Sequence, residues 1–150
     1  MPRPYIPVEV ERRVRKAAGD RCGYCLSPQS LVMARLEIEH IVPRTSFAAD
    51  DPAADDETNL WLACPLCNGH KSDKISAADP DTGERVRLFN PRTQRWSAHF
   101  RWSEDGIRVV GLTPTGRATV AALHLADDPE ALRVRANWVM AGWHPPVVAD

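Results

Sequence analysis

Apolar residues recur at helical spacing near the start of the chain. Val10, Val14 and Ala17 lie at i, i+4 and i+7 in the segment between Pro7 and Gly19. Proline is tolerated in the first turn of a helix, and glycine readily adopts the left-handed conformation that ends one. The pattern therefore predicts a short amphipathic helix in this segment.

Two further helices are predicted in the last third of the chain. Thr113 stands directly before Pro114, and Asp127 or Asp128 stands before Pro129. Each combination supplies an N-capping side chain followed by proline at the first helical position. Alanine, leucine and valine then recur at helical spacing after both starts, so both segments are predicted as helices.

Between these regions the apolar residues fall into short runs. Residues 36–42 are rich in Leu, Ile and Val, and residues 59–63 form a second apolar run, so both are predicted as short strands. The segment between them is acidic and rich in Ala and Asp, which predicts a long loop, and long loops in small domains are usually functional or mobile. From Pro65 to about position 73 the sequence favours a helix. The predicted order is strand, loop, strand, helix.

The second half of the chain contains a strong alternation of aromatic and polar residues. In residues 95–102, Phe100 stands four positions after Trp96 and two positions before Trp102, and Arg, Ser and His lie between them. This period predicts a strand, and a four-residue turn followed by residues 107–112 predicts its hairpin partner. One face of the hairpin is expected to be aromatic and buried, and the other basic. A shorter alternation near Val86 also predicts a strand, and residues 77–84 before it are predicted as a turn-rich connector.

Length and charge narrow the class of protein. A chain of 150 residues is expected to form one domain or a small catalytic unit with an appended subdomain. We expect a core unit at residues 1–76 and a second unit at residues 77–150 packed on it.

No apolar run approaches the roughly 20 residues that cross a bilayer, and residues 1–7 lack a signal-peptide pattern, so we expect a cytosolic protein without membrane contact. The net charge of −1 gives no general attraction for nucleic acid, so such binding needs local basic clusters, which occur in residues 1–21 and 85–101.

The four cysteines form two Cys-x-x-Cys pairs, an arrangement typical of a structural zinc site. The four candidate ligands are Cys22, Cys25, Cys64 and Cys67. Disulfides, a redox dithiol and an iron–sulfur centre are the competing interpretations. A zinc ion would supply on the order of 10 kcal/mol to the folding of a region whose apolar residues occur only in short clusters.

Residues that suit phosphodiester hydrolysis lie between the cysteine pairs and directly after them. The reaction needs a base to deprotonate water, a cation to stabilise charge, and a group that orients the base. His40 is the natural base. Glu39 before it is a hard oxygen ligand suited to Mg²⁺ or Mn²⁺, and Asn68 beside Cys67 offers a second oxygen. Asn59 is placed to restrain the backbone or ring of His40.

These motifs resemble the HNH endonuclease family in its zinc-containing form. The matching residues are Cys22-x-x-Cys25, Glu39-His40-Ile41-Val42-Pro43, Asn59-Leu60 and Cys64-x-x-Cys67-Asn68-x-x-Lys71. The resemblance implies an α+β fold with a ββα-metal, or His-Me finger, core stapled by a four-cysteine zinc site. An N-terminal helix would precede the core, and a β-hairpin with two helices would follow it. The resemblance further implies that His40 activates water, that Glu39 and Asn68 hold one divalent ion, and that Asn59 is a structural orienter.

The expected function is metal-dependent cleavage of DNA, with RNA as the alternative substrate. Arg44, Lys71 and Lys74 are the predicted phosphate contacts. The alternative function is a non-catalytic zinc-ribbon module that binds nucleic acid or a partner protein. Such a module has no need to keep Glu39 and His40 together with both asparagines. The sequence does not indicate an oligomeric state.

Overall fold

The computed structural model describes residues 6–148, so residues 1–5, which belong to the segment without a signal-peptide pattern, lie outside the description. The chain divides into two compact units, Met1–Ile75 and Ser76–Asp150. Both units contain helices and small antiparallel sheets, which confirms the predicted α+β class. Within residues 6–148, no helix combines the length and the apolar character that a bilayer span requires.

The described part of the first unit, residues 6–75, contains two α-helices and one two-stranded sheet. In chain order they are α1 (Val8–Ala18), β1 (Glu37–His40), β2 (Leu60–Ala63) and α2 (Pro65–Lys71). The predicted first helix is confirmed: it begins after Pro7 and ends at Gly19, which takes the left-handed conformation with φ 67°. The predicted order of strand, loop, strand and helix is also confirmed, with strands a few residues shorter than predicted.

Strands β1 and β2 form an antiparallel hairpin that carries the buried core of this unit. Glu37 pairs with Ala63 at one end, and His40 pairs with Leu60 at the other. Leu60 and Leu62 are fully buried, as is Val14 on α1, which packs against β2. Of the four residues of β1, Glu39 is buried and Glu37 is exposed.

The long acidic loop between the strands is ordered by its own side chains. It forms short 3-10 turns at Arg44–Ser46, Pro52–Asp55 and Glu57–Asn59. Asp51 accepts a hydrogen bond from the Ala53 amide, and Asp56 accepts one from the Thr58 amide, so two of its acids cap these turns. These two acidic side chains therefore stabilise the backbone of the loop itself.

The second unit contains more regular structure than the sequence pattern predicts. Its elements are β3 (Ser76–Ala78), β4 (Arg85–Arg87), α3 (Trp96–His99), β5 (Phe100–Trp102), β6 (Val109–Gly111), α4 (Pro114–Ala122) and α5 (Pro129–Ala141). Strands β3 and β4 pair with each other, as do β5 and β6. The two predicted helices are confirmed, with Thr113 capping α4 through the Gly116 amide and Asp128 capping α5.

Two predictions in this unit are wrong. The connector at residues 77–84 contributes strand β3, because Ala77 pairs with Val86 although its own sequence has no strand pattern. The strand predicted across residues 95–102 begins as helix α3. Trp96 and Phe100 fit helical i, i+4 spacing as well as a period of two, and their buried rings lie 5.3 Å apart. Burial of both rings decides between the two interpretations in favour of a helical turn.

One glycine marks a close approach between α4 and the residues before it. A Cβ atom added to Gly116 would lie 2.1 Å from the carbonyl oxygen of His99. No side chain larger than hydrogen fits this contact, so the start of α4 packs directly against backbone.

Candidate active site and metal centre

The four cysteines meet inside the first unit. Their sulfur atoms all lie within 4.8 Å of one another and all four residues are buried. Cys25 Sγ lies 3.7 Å from Cys64 Sγ. A tetrahedral zinc site with Zn–S bonds of about 2.3 Å requires sulfur atoms about 3.8 Å apart. The cluster therefore has the size and the donor set of a closed metal site.

Local backbone structure brings each cysteine pair to the cluster. The Leu26 amide donates to the Cys22 carbonyl, and the Gly23 amide donates to Leu62 on strand β2, which ties the first turn to the sheet. Cys64 is the N-cap of helix α2, with Pro65 at the first helical position. Its sulfur accepts the Cys67 amide, so the Cys-Pro-x-Cys sequence starts the helix and aims both thiols together.

Burial and mutual hydrogen bonds shift the pKa values of the clustered thiols in different directions. Burial, together with hydrogen bonds to neighbouring thiols, raises the pKa of Cys22. Hydrogen bonds from the other three thiols lower the pKa of Cys25. Neutral thiols can thus stabilise one thiolate among them, whereas a bound metal dication deprotonates all of its thiol ligands.

His40 ends strand β1, and Asn59 holds the backbone that follows it. The side chain of Asn59 accepts a hydrogen bond from the Val42 amide at 2.8 Å and donates to the Val42 carbonyl at 2.9 Å. The Asn59 carbonyl also accepts the Ile41 amide at 2.9 Å, and its side-chain NH₂ group donates to Ala54 at 2.9 Å. Asn59 therefore binds the backbone next to His40 and does not contact the ring.

Lys71 requires a correction, because it was predicted as a phosphate contact. Its side chain is only 2% exposed. The ammonium donates to the carbonyls of His40 and Ile41 at 3.0 Å each and lies 2.7 Å from Glu39 Oε1. Two carbonyls and the Glu39 carboxylate thus surround the ammonium within the protein. Lys71 supports the backbone that carries His40 and is not available to a phosphate.

The ring of His40 is paired with a carboxylate from the acidic loop. Its Nε2 atom lies 2.8 Å from Asp55 Oδ1, and Arg44 forms an ion pair with the same oxygen. An ionised carboxylate only accepts hydrogen bonds, so Nε2 carries a hydrogen in this contact, and in the neutral ring Nδ1 is then the acceptor. The sequence analysis missed Asp55, because its position among several acids of a loop gave no signal of this contact.

An open cavity of about 740 Å³ lies beside His40. Its polar lining includes the side chains of Glu37, His40, Arg44, Asn68 and Asp73. Asn68 Nδ2 donates to Glu37 Oε1 at 2.8 Å, which joins helix α2 to the start of strand β1. His40 and Asn68 thus line one cavity, together with Glu37.

Glu39 does not line this cavity. Its side chain is 1% exposed and is enclosed by two partners, Lys71 on Oε1 and the hydroxyl of Tyr24 on Oε2 at 3.0 Å. Burial first, and then the charge of Glu39, raise the pKa of Tyr24, so its hydroxyl remains a donor. Glu39 and Asn68, the predicted pair of divalent-ion ligands, do not meet at this cavity. The Glu39 carboxylate is buried and contacts Lys71 and Tyr24.

The remaining predicted phosphate contacts are accessible to different degrees. Arg44 lines the cavity, and its ion pair with Asp55 holds the guanidinium there. Lys74 is exposed, and its ammonium donates to the His70 carbonyl at 3.0 Å. Of the three predicted contacts, Arg44 and Lys74 keep a cationic group at the surface of this unit.

The hairpin, the following helix and the cysteine cluster together define a ββα-metal core with a histidine at the end of its first strand. Comparison with known proteins assigns this class to a family. Residues 22–74 match the HNH endonuclease family, so this segment is an HNH domain, and the predicted resemblance is confirmed. The matched family supports a nuclease-type function in general.

The chain is also similar to a curated relative, the Septu protein PtuB of Bacillus mycoides (strain KBAB4). The two are 28% identical over 123 residues, which cover 69% of this chain and 41% of the relative. The chain thus matches less than half the length of this relative. No solved structure gives a significant match.

Proposed function

We propose that this protein is an endonuclease that hydrolyses phosphodiester bonds of DNA, with His40 as the general base. The observation that carries the proposal is the fixed position of His40 at the cavity. Its ring is bound through Nε2 to Asp55, its carbonyl is bound by Lys71, and the backbone that follows it is bound by Asn59. A base held in one tautomer at the wall of a cleft is what activation of a water molecule requires.

In the proposed reaction, His40 Nδ1 takes a proton from a water molecule in the cavity. Asp55 holds the ring in the correct tautomer and stabilises the imidazolium that forms, as the carboxylate does in serine hydrolase triads. Arg44 lies at the same cavity and bears a planar guanidinium suited to a phosphate oxygen. Attack of the activated water on phosphorus forms the new P–O bond and breaks the bond to the 3′-oxygen. The 3′-oxygen leaves with the electron pair and takes a proton from solvent water, so the products are a 5′-phosphate and a 3′-hydroxyl, as the family resemblance implies.

We further propose that the four-cysteine cluster holds a structural zinc ion. The four thiols are buried and close enough together to fill all four positions of a tetrahedral zinc ion, so this ion supports the fold and takes no part in hydrolysis. The reaction also requires a divalent cation to stabilise the charge of the phosphate. Mg²⁺ or Mn²⁺ suits the oxygen-rich cavity, but the pair Glu39 and Asn68 is not the ligand set that its geometry supports.

The test is cleavage of plasmid DNA by the purified zinc-loaded protein in Mg²⁺ or Mn²⁺. We expect His40→Ala to lower the cleavage rate by roughly a hundredfold or more, the usual contribution of a general base. His124→Ala is the matched control, because His124 also pairs with a carboxylate, Asp127, at 3.0 Å but lies in the second unit. Full activity of His40→Ala would refute the role of this residue.

The same assay separates the enzyme from the alternative, a non-catalytic zinc module. Binding is measured in EDTA on DNA and on RNA, and cleavage is then measured after the addition of metal. Cleavage of RNA but not DNA would change the substrate and keep the mechanism. Tight binding with no cleavage under any divalent ion would favour the module and contradict the proposal.

A further inference from the structure

Two glutamates on strand β1 differ sharply in their surroundings. Glu39 is buried; its Oε1 forms an ion pair with Lys71, and its Oε2 accepts a hydrogen bond from Tyr24. Glu37 is exposed, lines the cavity beside His40, and has a single hydrogen bond, from Asn68. No cation of residues 6–148 pairs with the Glu37 carboxylate. The two carboxylates are therefore suited to different tasks.

From this difference we infer that Glu37 and Asn68 are the ligands of a divalent cation at the cavity, and that Glu39 is not. This inference rests on the proposed function for the role of the cation, but its test does not require activity. It assigns the metal to a carboxylate three positions before the base, in place of the carboxylate directly before it.

The donor atoms of the pair suit a hard cation. Asn68 Nδ2 donates to Glu37 Oε1 at 2.8 Å, so the two side chains already lie in contact. Within residues 6–148, Asn68 Oδ1 and Glu37 Oε2 make no hydrogen bond, so each side chain retains an oxygen that can coordinate a cation. Mg²⁺ and Mn²⁺ prefer carboxylate and amide oxygens and are commonly held by one or two carboxylates together with substrate phosphates.

The neighbouring elements hold the pair in place. Asn68 directly follows Cys67, which belongs to the metal cluster, so the cluster anchors the turn of α2 that presents it. Glu37 is the first residue of β1 and pairs with Ala63, directly before Cys64. Asn68 is thus adjacent to a cluster cysteine in sequence. Glu37 lies across the hairpin from the residue that precedes another cluster cysteine.

Glu39 is unsuited to the same role for an energetic reason. If its carboxylate moved to a metal, the Lys71 ammonium would remain buried without a counter-charge, and an unpaired buried charge is strongly unfavourable. The Tyr24 hydroxyl would also lose its acceptor. The pair of Glu39 and Lys71 instead supports the backbone of His40 and Ile41.

The test measures Mn²⁺ binding to the zinc-loaded full chain by electron paramagnetic resonance, with no nucleic acid present. The variants are Glu37→Gln, Asp73→Asn and Glu39→Gln. Loss of groups that merely support metal ligands weakens binding by about 10–100-fold, so we expect Glu37→Gln to raise the Kd by about tenfold or more. Asp73→Asn is the matched control, because it removes the same charge from the same cavity. It should raise the Kd by no more than about fivefold, the size of an exposed charge effect.

The inference is overturned if the wild-type chain binds no Mn²⁺, if Glu37→Gln binds it as tightly as wild type, or if Asp73→Asn weakens binding equally. It is also overturned if a folded Glu39→Gln variant loses the ion while Glu37→Gln keeps it. Glu37 is exposed, so its variant is expected to fold, and the comparison with Asp73→Asn decides even where Glu39→Gln does not fold. Mn²⁺ binding that depends on Glu37 in a protein without cleavage activity would support this site and refute the proposed function separately.

Discussion

His40 shows how neighbouring residues give a common side chain a specific task. The chain contains five histidines, and composition alone does not distinguish them. His40 differs because Asn59 and Lys71 bind its backbone surroundings while Asp55 binds its ring. A free imidazole exchanges between two tautomers, and a carboxylate on one nitrogen selects a single one.

Substitution of Asp55 tests whether the acidic loop assists the base or merely repels the substrate. We expect Asp55→Asn to lower the cleavage rate on the order of a hundredfold, because a neutral amide neither fixes the tautomer nor stabilises the imidazolium. If the loop only repelled phosphate, the same change would raise the rate. The ¹⁵N shifts of the His40 ring should also show a loss of the Nε2–H tautomer.

Asp51→Asn is the control for this experiment. Asp51 lies on the same loop and carries the same charge, but it caps the Ala53 amide and does not reach His40. Its substitution should leave the rate and the His40 ring signals unchanged. An equal effect of both variants would mean that loop charge, and not the contact with His40, is responsible.

At the scale of elements, the hairpin and helix α2 depend on the cysteine cluster. Strand β2 and helix α2 are only 4 and 7 residues long. Helices this short are not stable alone, so their order comes from tertiary contacts and from the cluster. The cluster joins the turn after α1 to the start of α2, and His40 and Asp55 lie between these two points in the sequence.

Metal removal tests this dependence. We expect a strong chelator to collapse the amide NMR signals of residues 22–74, because structural zinc contributes on the order of 10 kcal/mol to such domains. Signals of the second unit should persist, since all four thiols lie in the first unit. The control is removal of Mg²⁺ alone, which should leave the spectrum unchanged. A dispersed spectrum after zinc loss would show that burial suffices for this unit.

At the scale of the whole molecule, the two units differ in what holds them together. The second unit has no cysteine and relies on aromatic packing and on a buried ion pair. Asp79 is fully buried and is bound by the Arg117 guanidinium at 2.8 and 3.0 Å. This contact joins the turn after β3 to helix α4. The expectation that the second unit packs on the nuclease core stays a prediction.

The pair of Asp79 and Arg117 predicts a pH dependence of stability. Hydrogen bonds from Arg117 lower the pKa of Asp79 to about 2. Because this folded-state pKa lies below the unfolded value of about 3.9, the pair stabilises fully above that value and loses its effect as the pH falls towards 2. We expect the difference in unfolding free energy between wild type and Asp79→Asn to be largest above about pH 4 and to shrink towards pH 2, as measured by urea denaturation.

Asp81→Asn is the matched control for the pH experiment. Asp81 also pairs with Arg117, at 3.2 Å, but its side chain is 67% exposed, so solvent weakens the interaction. Asp81→Asn should change the free energy of unfolding less than Asp79→Asn does at every pH. A difference for Asp79→Asn that does not change with pH would contradict the role of its ionisation.

The sequence by itself determined the features that depend on neighbouring residues. Gly19, Pro65, Thr113 and Asp128 mark helix ends in the places where the structure has them, because capping acts within one helical turn. The spacing of the cysteine pairs predicted their assembly for a similar reason: each pair lies on one tight turn. The resemblance identified His40 and its motif, since order and residue type suffice for that.

Only the tertiary structure decided which chemically similar side chains do what. Glu37 and Glu39 lie two residues apart, yet the position of helix α2 buries one with Lys71 and leaves the other at the cavity. Partners distant in the chain likewise determined three other features. They are the burial of Lys71, the contact of Asp55 with His40 and the helical turn at Trp96. Burial and pairing are set by the whole packed unit, whereas a sequence pattern reports only what lies nearby along the chain.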